Sequence, residues 1–224
     1  MDAELDGRDK LGRLLDSQVA YYRAVAREYD DHALPDVEDA AAEVAAALDR
    51  FGPAGSVLEL ACGPGRWTVQ LLRYATSLTA IDAAPEMLEI AASRVRDVRA
   101  RLVESNIFEW TPDQRYDVVF FGFWLSHVPT ERFETFWQLV GASLAEDGRV
   151  FFVDDSYRTA DELVDGPDSS TIRRRLNDGS EYRIVKVPHD PPHLAGQLDR
   201  LGWSITLTQS SGPIFWGSGT RRSP

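Results

Sequence analysis

Hydrophobic positions recur at spacings of three and four along the first fifty residues. Leu11, Leu14, Leu15, Val19, Tyr22, Val25, Ala26 and Tyr29 form one stripe, the pattern of an amphipathic helix. A second helix is expected over 36–48, starting just after Pro35, with acids in its first turn, where the helix dipole favours them. Phe51-Gly52-Pro53-Ala54-Gly55 breaks it, and the period then changes. Short apolar runs at 56–60, 78–82, 101–103, 116–121 and 149–154 predict strands, and 66–74, 85–96 and 130–144 predict helices between them. The helix over 85–96 has proline in its first turn, and Glu146-Asp147-Gly148 is expected to end the one over 130–144. The run at 116–121 is the most apolar, as in a strand covered on both faces. Alternation at this spacing predicts an α/β fold, a Rossmann-like doubly wound, mostly parallel sheet.

The last third reads differently. Segments 171–176 and 181–187 flank Asn177-Asp178-Gly179, and Asp-Gly between two such runs predicts a β-hairpin. It looks like an insertion at about 168–188. A helix over 191–201 stops at Gly202, and strands at 204–209 and 214–216 are close enough to pair antiparallel.

Composition narrows the function classes. At 224 residues, with 43% hydrophobic and 27% charged residues, the chain suits one globular domain or a domain with a cap. Its longest nearly unbroken apolar run, 118–125, falls far short of the roughly 18 residues of a membrane span. The start Met1-Asp2-Ala3-Glu4 has no basic-then-apolar secretion pattern. One cysteine, Cys62, supports neither a disulfide framework nor a multi-cysteine zinc site. The expectation is a cytoplasmic protein with no membrane partner. Lys and Arg number 24 against 36 Asp and Glu, a net charge of −12 that repels phosphate backbones, so no nucleic-acid partner is expected. Arg173-Arg174-Arg175 reads as a solvated strand edge and Arg221-Arg222 as a tail.

The chemistry concentrates in Glu59-Leu60-Ala61-Cys62-Gly63-Pro64-Gly65, which follows a strand and opens a helix. Two glycines let the backbone turn sharply and approach a ligand, and the helix N-terminus offers free N–H groups. Asp82 ends the next strand, 17 residues after Gly65, where an acid accepts ribose hydroxyls. These residues specify a nucleoside-containing cofactor. The dinucleotide fingerprint wants a third glycine where Thr68 stands, and has no use for Glu59, an acid that suits a ligand carrying positive charge.

At this point the chain resembles the class I S-adenosylmethionine-dependent methyltransferases. Glu59, Ala61, Gly63 and Gly65 match the family's first motif. Ile81-Asp82-Ala83-Ala84-Pro85-Glu86-Met87-Leu88 is similar to the second, which implies that Asp82 holds the ribose and Met87 packs near the adenine, with Ala83 also among the cofactor contacts. Asn106-Ile107-Phe108 takes the third motif's place, with an amide oxygen for the adenine amino group where many members have Asp. Strand 117–122, ending in Gly122, resembles the wall beside the methionine part. Tyr21-Tyr22 and Tyr29-Asp30 match a helix that folds over the cofactor in related small-molecule enzymes, so Tyr21 and Tyr29 join the expected contacts. The resemblance covers about residues 20–217. It implies a seven-stranded sheet with a reversed last strand, a helical lid over 1–50 and a catalytic domain over 51–224.

The acceptor is less legible. The resemblance implies a small molecule in a bacterial specialised pathway. His127 follows the fourth strand at the ligand-binding edge and titrates near neutral pH, which makes it the candidate base and a hydroxyl the candidate acceptor. An amine acceptor needs little more than orientation. A non-catalytic partner subunit would bind the cofactor without turnover. Trp67, Phe123, Trp124, Phe215 and Trp216 are candidates for an apolar acceptor pocket. His189 and His193 flank prolines and read as loop, so no metal is expected.

Overall fold

The computed structural model describes residues 2–32 and 38–222. The N-terminal stripe becomes one helix, α1 (Asp2–Val25), continued by a 3-10 turn over Ala26–His32. Helix α2 (Glu38–Phe51) follows; the expected start at Pro35 and Asp36 lies outside the described residues. Then come β1 (Gly55–Leu60), α3 (Arg66–Leu71), β2 (Ala75–Asp82), α4 (Pro85–Arg94), β3 (Ala100–Glu104), β4 (Tyr116–Gly122), α5 (Phe133–Ser143) and β5 (Leu144–Asp155). The chain closes with the hairpin β6 (Thr171–Arg175) and β7 (Glu181–Val185), α6 (Pro191–Arg200), β8 (Trp203–Gln209) and β9 (Ile214–Arg221).

Seven strands form one sheet in the order β3-β2-β1-β4-β5-β9-β8, with β9 antiparallel to both neighbours and the first five strands parallel. The order reverses between β1 and β4, and a doubly wound sheet binds ligands outside the carboxyl ends of its strands at that point. Side chains of β4 alternate between two cores. Val119 and Phe121 join Leu58, Leu60 and Trp137 on one face, while Val118 and Phe120 join Val57 and Leu71 on the other. All nine are buried, and side chains of this size each contribute about 1.5–3 kcal/mol. Gly217 on β9 is required by close packing, because a Cβ there would lie 2.4 Å from the Phe152 ring.

Helix α1 lies over the carboxyl edge against α4 and the hairpin. Tyr21 and Val25 pack with Met87 of α4 and with Ile172 and Ile184 of the hairpin. Gln18, buried in the same helix, bridges two further elements. Its side chain donates to the His127 carbonyl at 3.2 Å and accepts from the Val185 N–H at 3.0 Å.

Four expectations need correcting. His193 is not in a loop: α6 starts at Pro191, and the Asp190 carboxylate caps it by accepting from the His193 N–H at 3.0 Å. The helix expected over 130–144 divides into a 3-10 turn, Thr130–Arg132, and α5, and Leu144 already pairs with Tyr116. Glu146-Asp147-Gly148 therefore lies within β5, where the register with β4 shifts. Arg221 and Arg222 are exposed, but they are not a loose tail: Arg221 sits in β9 opposite Trp203, and Arg222 pairs with Asp199. Trp67, Phe215 and Trp216 pack with the two cores and leave only Phe123 and Trp124 of that aromatic set at the cavity.

Candidate active site

The cradle is built by the turn after β1. Ala61 and Gly63 both take left-handed backbone, at φ 54° and 52°. The Gly63 N–H donates to Asp82 Oδ2 at 2.8 Å, and the Ala84 N–H donates to Asp82 Oδ1 at 2.9 Å, so one carboxylate ties the loop to the end of β2. The two glycines serve different needs. No other part of the chain comes within 4 Å of where a Gly63 Cβ would stand, which leaves space for a ligand. At Gly65, φ 78°, a Cβ would meet Ala91 at 3.1 Å, so that glycine lets α3 approach α4.

A cavity of about 790 Å³, measured out to its mouth, runs along this edge. Ten of the expected cofactor residues line it: Tyr29, Ala61, Gly63, Asp82, Ala83, Met87, Asn106, Ile107, Phe108 and Gly122. Tyr21, Glu59, Gly65 and His127 do not. Tyr21 packs against Tyr182 of the hairpin with ring centroids 5.8 Å apart. Leu15, Asp16, Gln18, Val19 and Tyr22 of α1 complete the wall. Their spacing of three and four marks one helix face, and Gln18, a polar residue inside the apolar stripe, was the signal for it. The Asn106 amide oxygen accepts from the Phe108 N–H at 3.1 Å, which leaves its second lone pair for a ligand.

Opposite the cradle, Phe123 also takes left-handed backbone, at φ 55°, and its N–H donates to the Val153 carbonyl at 2.7 Å. Such conformations cost about 1–3 kcal/mol each, and Ala61 and Phe123 place both on this cavity. The loop beyond is held by a buried ion cluster. Ser126 gives Asp154 both its N–H and its hydroxyl, each at 2.8 Å, and Lys186 Nζ donates to Asp155 at 2.9 Å and to Ser126 Oγ at 3.1 Å. Burial pushes the Asp154 carboxyl up, against the pull of the Lys186 charge.

His127 closes this loop. Its Nδ1 lies 2.6 Å from the Val185 carbonyl and its Nε2 lies 2.9 Å from the Tyr22 hydroxyl. Burial first, then the Lys186 and Arg174 charges, hold its pKa well below the usual histidine value, although the Val185 carbonyl favours the proton.

Comparison with known proteins agrees with this geometry. Residues 57–148 match the family model described as "Methyltransferase domain". The chain superposes on the DhpI–SAH complex with a TM-score of 0.84 at 36% identity, covering 94% of this chain and 98% of that one. The chain belongs to the class I S-adenosylmethionine-dependent methyltransferases. The DhpI–SAM–HEP complex gives a TM-score of 0.82 at 39% identity over 92% and 96% of the two chains. Trans-aconitate 2-methyltransferase from Escherichia coli (strain SE11) is 36% identical over 86 residues, 38% of this chain. The match spans only a third of the length of that relative (33%).

Class I methyltransferases bind S-adenosylmethionine, and the residues lining the cavity fit that group. Asp82 retains lone pairs for ribose hydroxyls, Gly63 leaves room for close approach, and Met87, Ile107 and Phe108 offer apolar surface to a flat base. Among the described residues no helix is long and apolar enough to cross a membrane.

Glu59 stands behind the cradle rather than in it, accepting from Thr68 Oγ1 at 2.6 Å, and burial raises its pKa to about 8. A carboxyl with a folded pKa above its unfolded value leaves stability intact at low pH. Stability then falls as pH rises through about 4.5, and the loss is complete above about 8. Glu59→Gln keeps an acceptor for Thr68 and cannot ionise. It is expected to raise the melting temperature of ligand-free protein at pH 8.5 and to leave it nearly unchanged at pH 5, as scanning calorimetry at both pH values would record. A variant equally stable to wild type at pH 8.5 would show that Glu59 ionises freely.

Proposed function

We propose that this chain transfers a methyl group from S-adenosylmethionine to a neutral amine nitrogen of a small molecule in a bacterial pathway. The observation that carries the choice of acceptor is the bonding of His127. A hydroxyl needs a base in the transition state, and the candidate base has one ring nitrogen against a carbonyl, the other against Tyr22, and a buried environment that opposes its protonation. An acceptor that arrives with its lone pair free needs none. The cofactor supplies a methyl group already activated on a sulfonium. The residues around it then have to align the nucleophile and exclude water, which is where proximity lowers the barrier. The residues lining the cavity include the acids Asp16 and Asp82 and neither Lys nor Arg, which suits an amine better than an anion.

A second reading, transfer to a carboxylate, rests on the name of the trans-aconitate relatives and likewise needs no base. The test is a methyl-transfer assay over amine, carboxylate and alcohol forms of the same aromatic and aliphatic scaffolds, followed by release of S-adenosylhomocysteine. Turnover of amines, with rates rising as the ammonium loses its proton, is expected. Turnover of alcohols with an acidic limb that His127→Ala abolishes would restore the histidine base. Cofactor binding with no turnover on any class would favour a partner-subunit role.

A further inference from the structure

The hydrogen bonds around His127 have a direction, and the direction reaches the cavity. The Val185 carbonyl only accepts, so Nδ1, 2.6 Å away, carries the ring proton. Burial disfavours a second proton, as do Lys186 and Arg174, the cationic groups that face the ring; Asp154 and Asp155 lie beyond Lys186. Nε2 is therefore a bare lone pair, and the Tyr22 hydroxyl at 2.9 Å must donate to it. With its one proton committed, the Tyr22 oxygen has only lone pairs to offer elsewhere. Tyr22 lines the cavity and His127 does not.

We propose that His127 is a positioning residue that turns the Tyr22 hydroxyl so that Tyr22 presents a pure hydrogen-bond acceptor to the methyl-accepting substrate. Tyr22 thereby selects substrates whose reacting end carries a hydrogen-bond donor, as an amine N–H does, over those that carry none. An oxyanion at the same place would meet lone pairs and be turned away, since a site built to accept a hydrogen bond rejects the analogue that cannot give one. The inference rests on the amine reading above for the identity of the ligand, but the orientation of the hydroxyl does not. Gln18 supports the arrangement, because it bonds the main chain of both His127 and Val185.

Two measurements test it on the full-length chain saturated with S-adenosylhomocysteine. In the first, ¹⁵N-histidine spectra are recorded at pH 7, with the His127 signals identified by their loss in His127→Gln. The expected result is a neutral ring protonated at Nδ1, with an Nε2 resonance that moves by several ppm in Tyr22→Phe. A ring protonated at Nε2, or at both nitrogens, would overturn the proposal, because Tyr22 would then keep its proton for the cavity. In the second, binding of benzylamine and benzoate is compared by calorimetry in wild type and Tyr22→Phe. The affinity ratio, amine over carboxylate, is expected to fall at least tenfold in the variant. A ratio unchanged within twofold would mean that the pair is only packing. Methylation of carboxylates by a wild type whose His127 is protonated at Nδ1 would overturn both the amine reading and the selection by Tyr22, and leave only the orientation of the hydroxyl.

Discussion

Replacing Lys186 by methionine is expected to destabilise the protein by about 3–5 kcal/mol, the usual consequence of stripping one partner from a buried charge cluster. Lys186 is 3% exposed and sits among Asp154, Asp155 and Ser126, all buried. Methionine fills much of the same volume, so the loss reports charge rather than a cavity. The sign of the pH dependence identifies the cause. Without the ammonium, burial is left to hold the Asp154 proton to higher pH in the folded chain than in the unfolded one. Stability of the variant should therefore fall as pH rises from 5 to 8. Urea denaturation at both pH values would measure it, and a variant within about 1 kcal/mol of wild type at pH 8 would show that Asp154 and Asp155 need no counter-charge.

Asp82→Ala is expected to weaken S-adenosylmethionine binding by about 1–3 kcal/mol through the lost charged hydrogen bonds alone. The structure adds a second loss. The same carboxylate receives the N–H groups of Gly63 and Ala84, so its removal leaves two backbone donors of the cradle unpaired. The cradle is expected to loosen, and the melting temperature of ligand-free protein should fall together with cofactor affinity. Asp82→Asn keeps one acceptor oxygen and is expected to lie between the two. Calorimetric titration with S-adenosylhomocysteine beside a thermal melt separates the effects, and wild-type affinity in Asp82→Ala would place the nucleoside elsewhere.

The sheet was legible because its evidence is local. The central parallel strands hold short apolar runs, and Asp82 and Gly63 could be placed from their distance along the chain. Long-range partnerships were not legible. Nothing near Glu59 in sequence says that its carboxyl meets Thr68, and nothing near His127 says that Val185 and Tyr22 saturate its ring. The histidine looked like a base because its free pKa is near neutral; burial and the two cations beside it, contributed by the hairpin region, reverse that. Tyr21 and Tyr22 differ in the same way. Adjacent on a helix, they point about 100° apart, and only packing decides that Tyr22 faces the cavity while Tyr21 faces the hairpin.

The bridge made by Gln18 also fixes an order of events in the cell. Its two partners lie 109 and 167 residues further along the chain. At about 5–20 residues per second on the ribosome, roughly 8–30 s pass between the emergence of α1 and that of Val185. Over that interval the apolar side of α1 lacks the hairpin, and for roughly the first two thirds of it lacks the His127 loop as well. The wall it contributes to the cofactor cavity is thus among the last parts of the protein to exist. A nascent chain that has completed β1 to β5 holds the cradle for a nucleoside and still lacks the cover that makes it a reaction vessel.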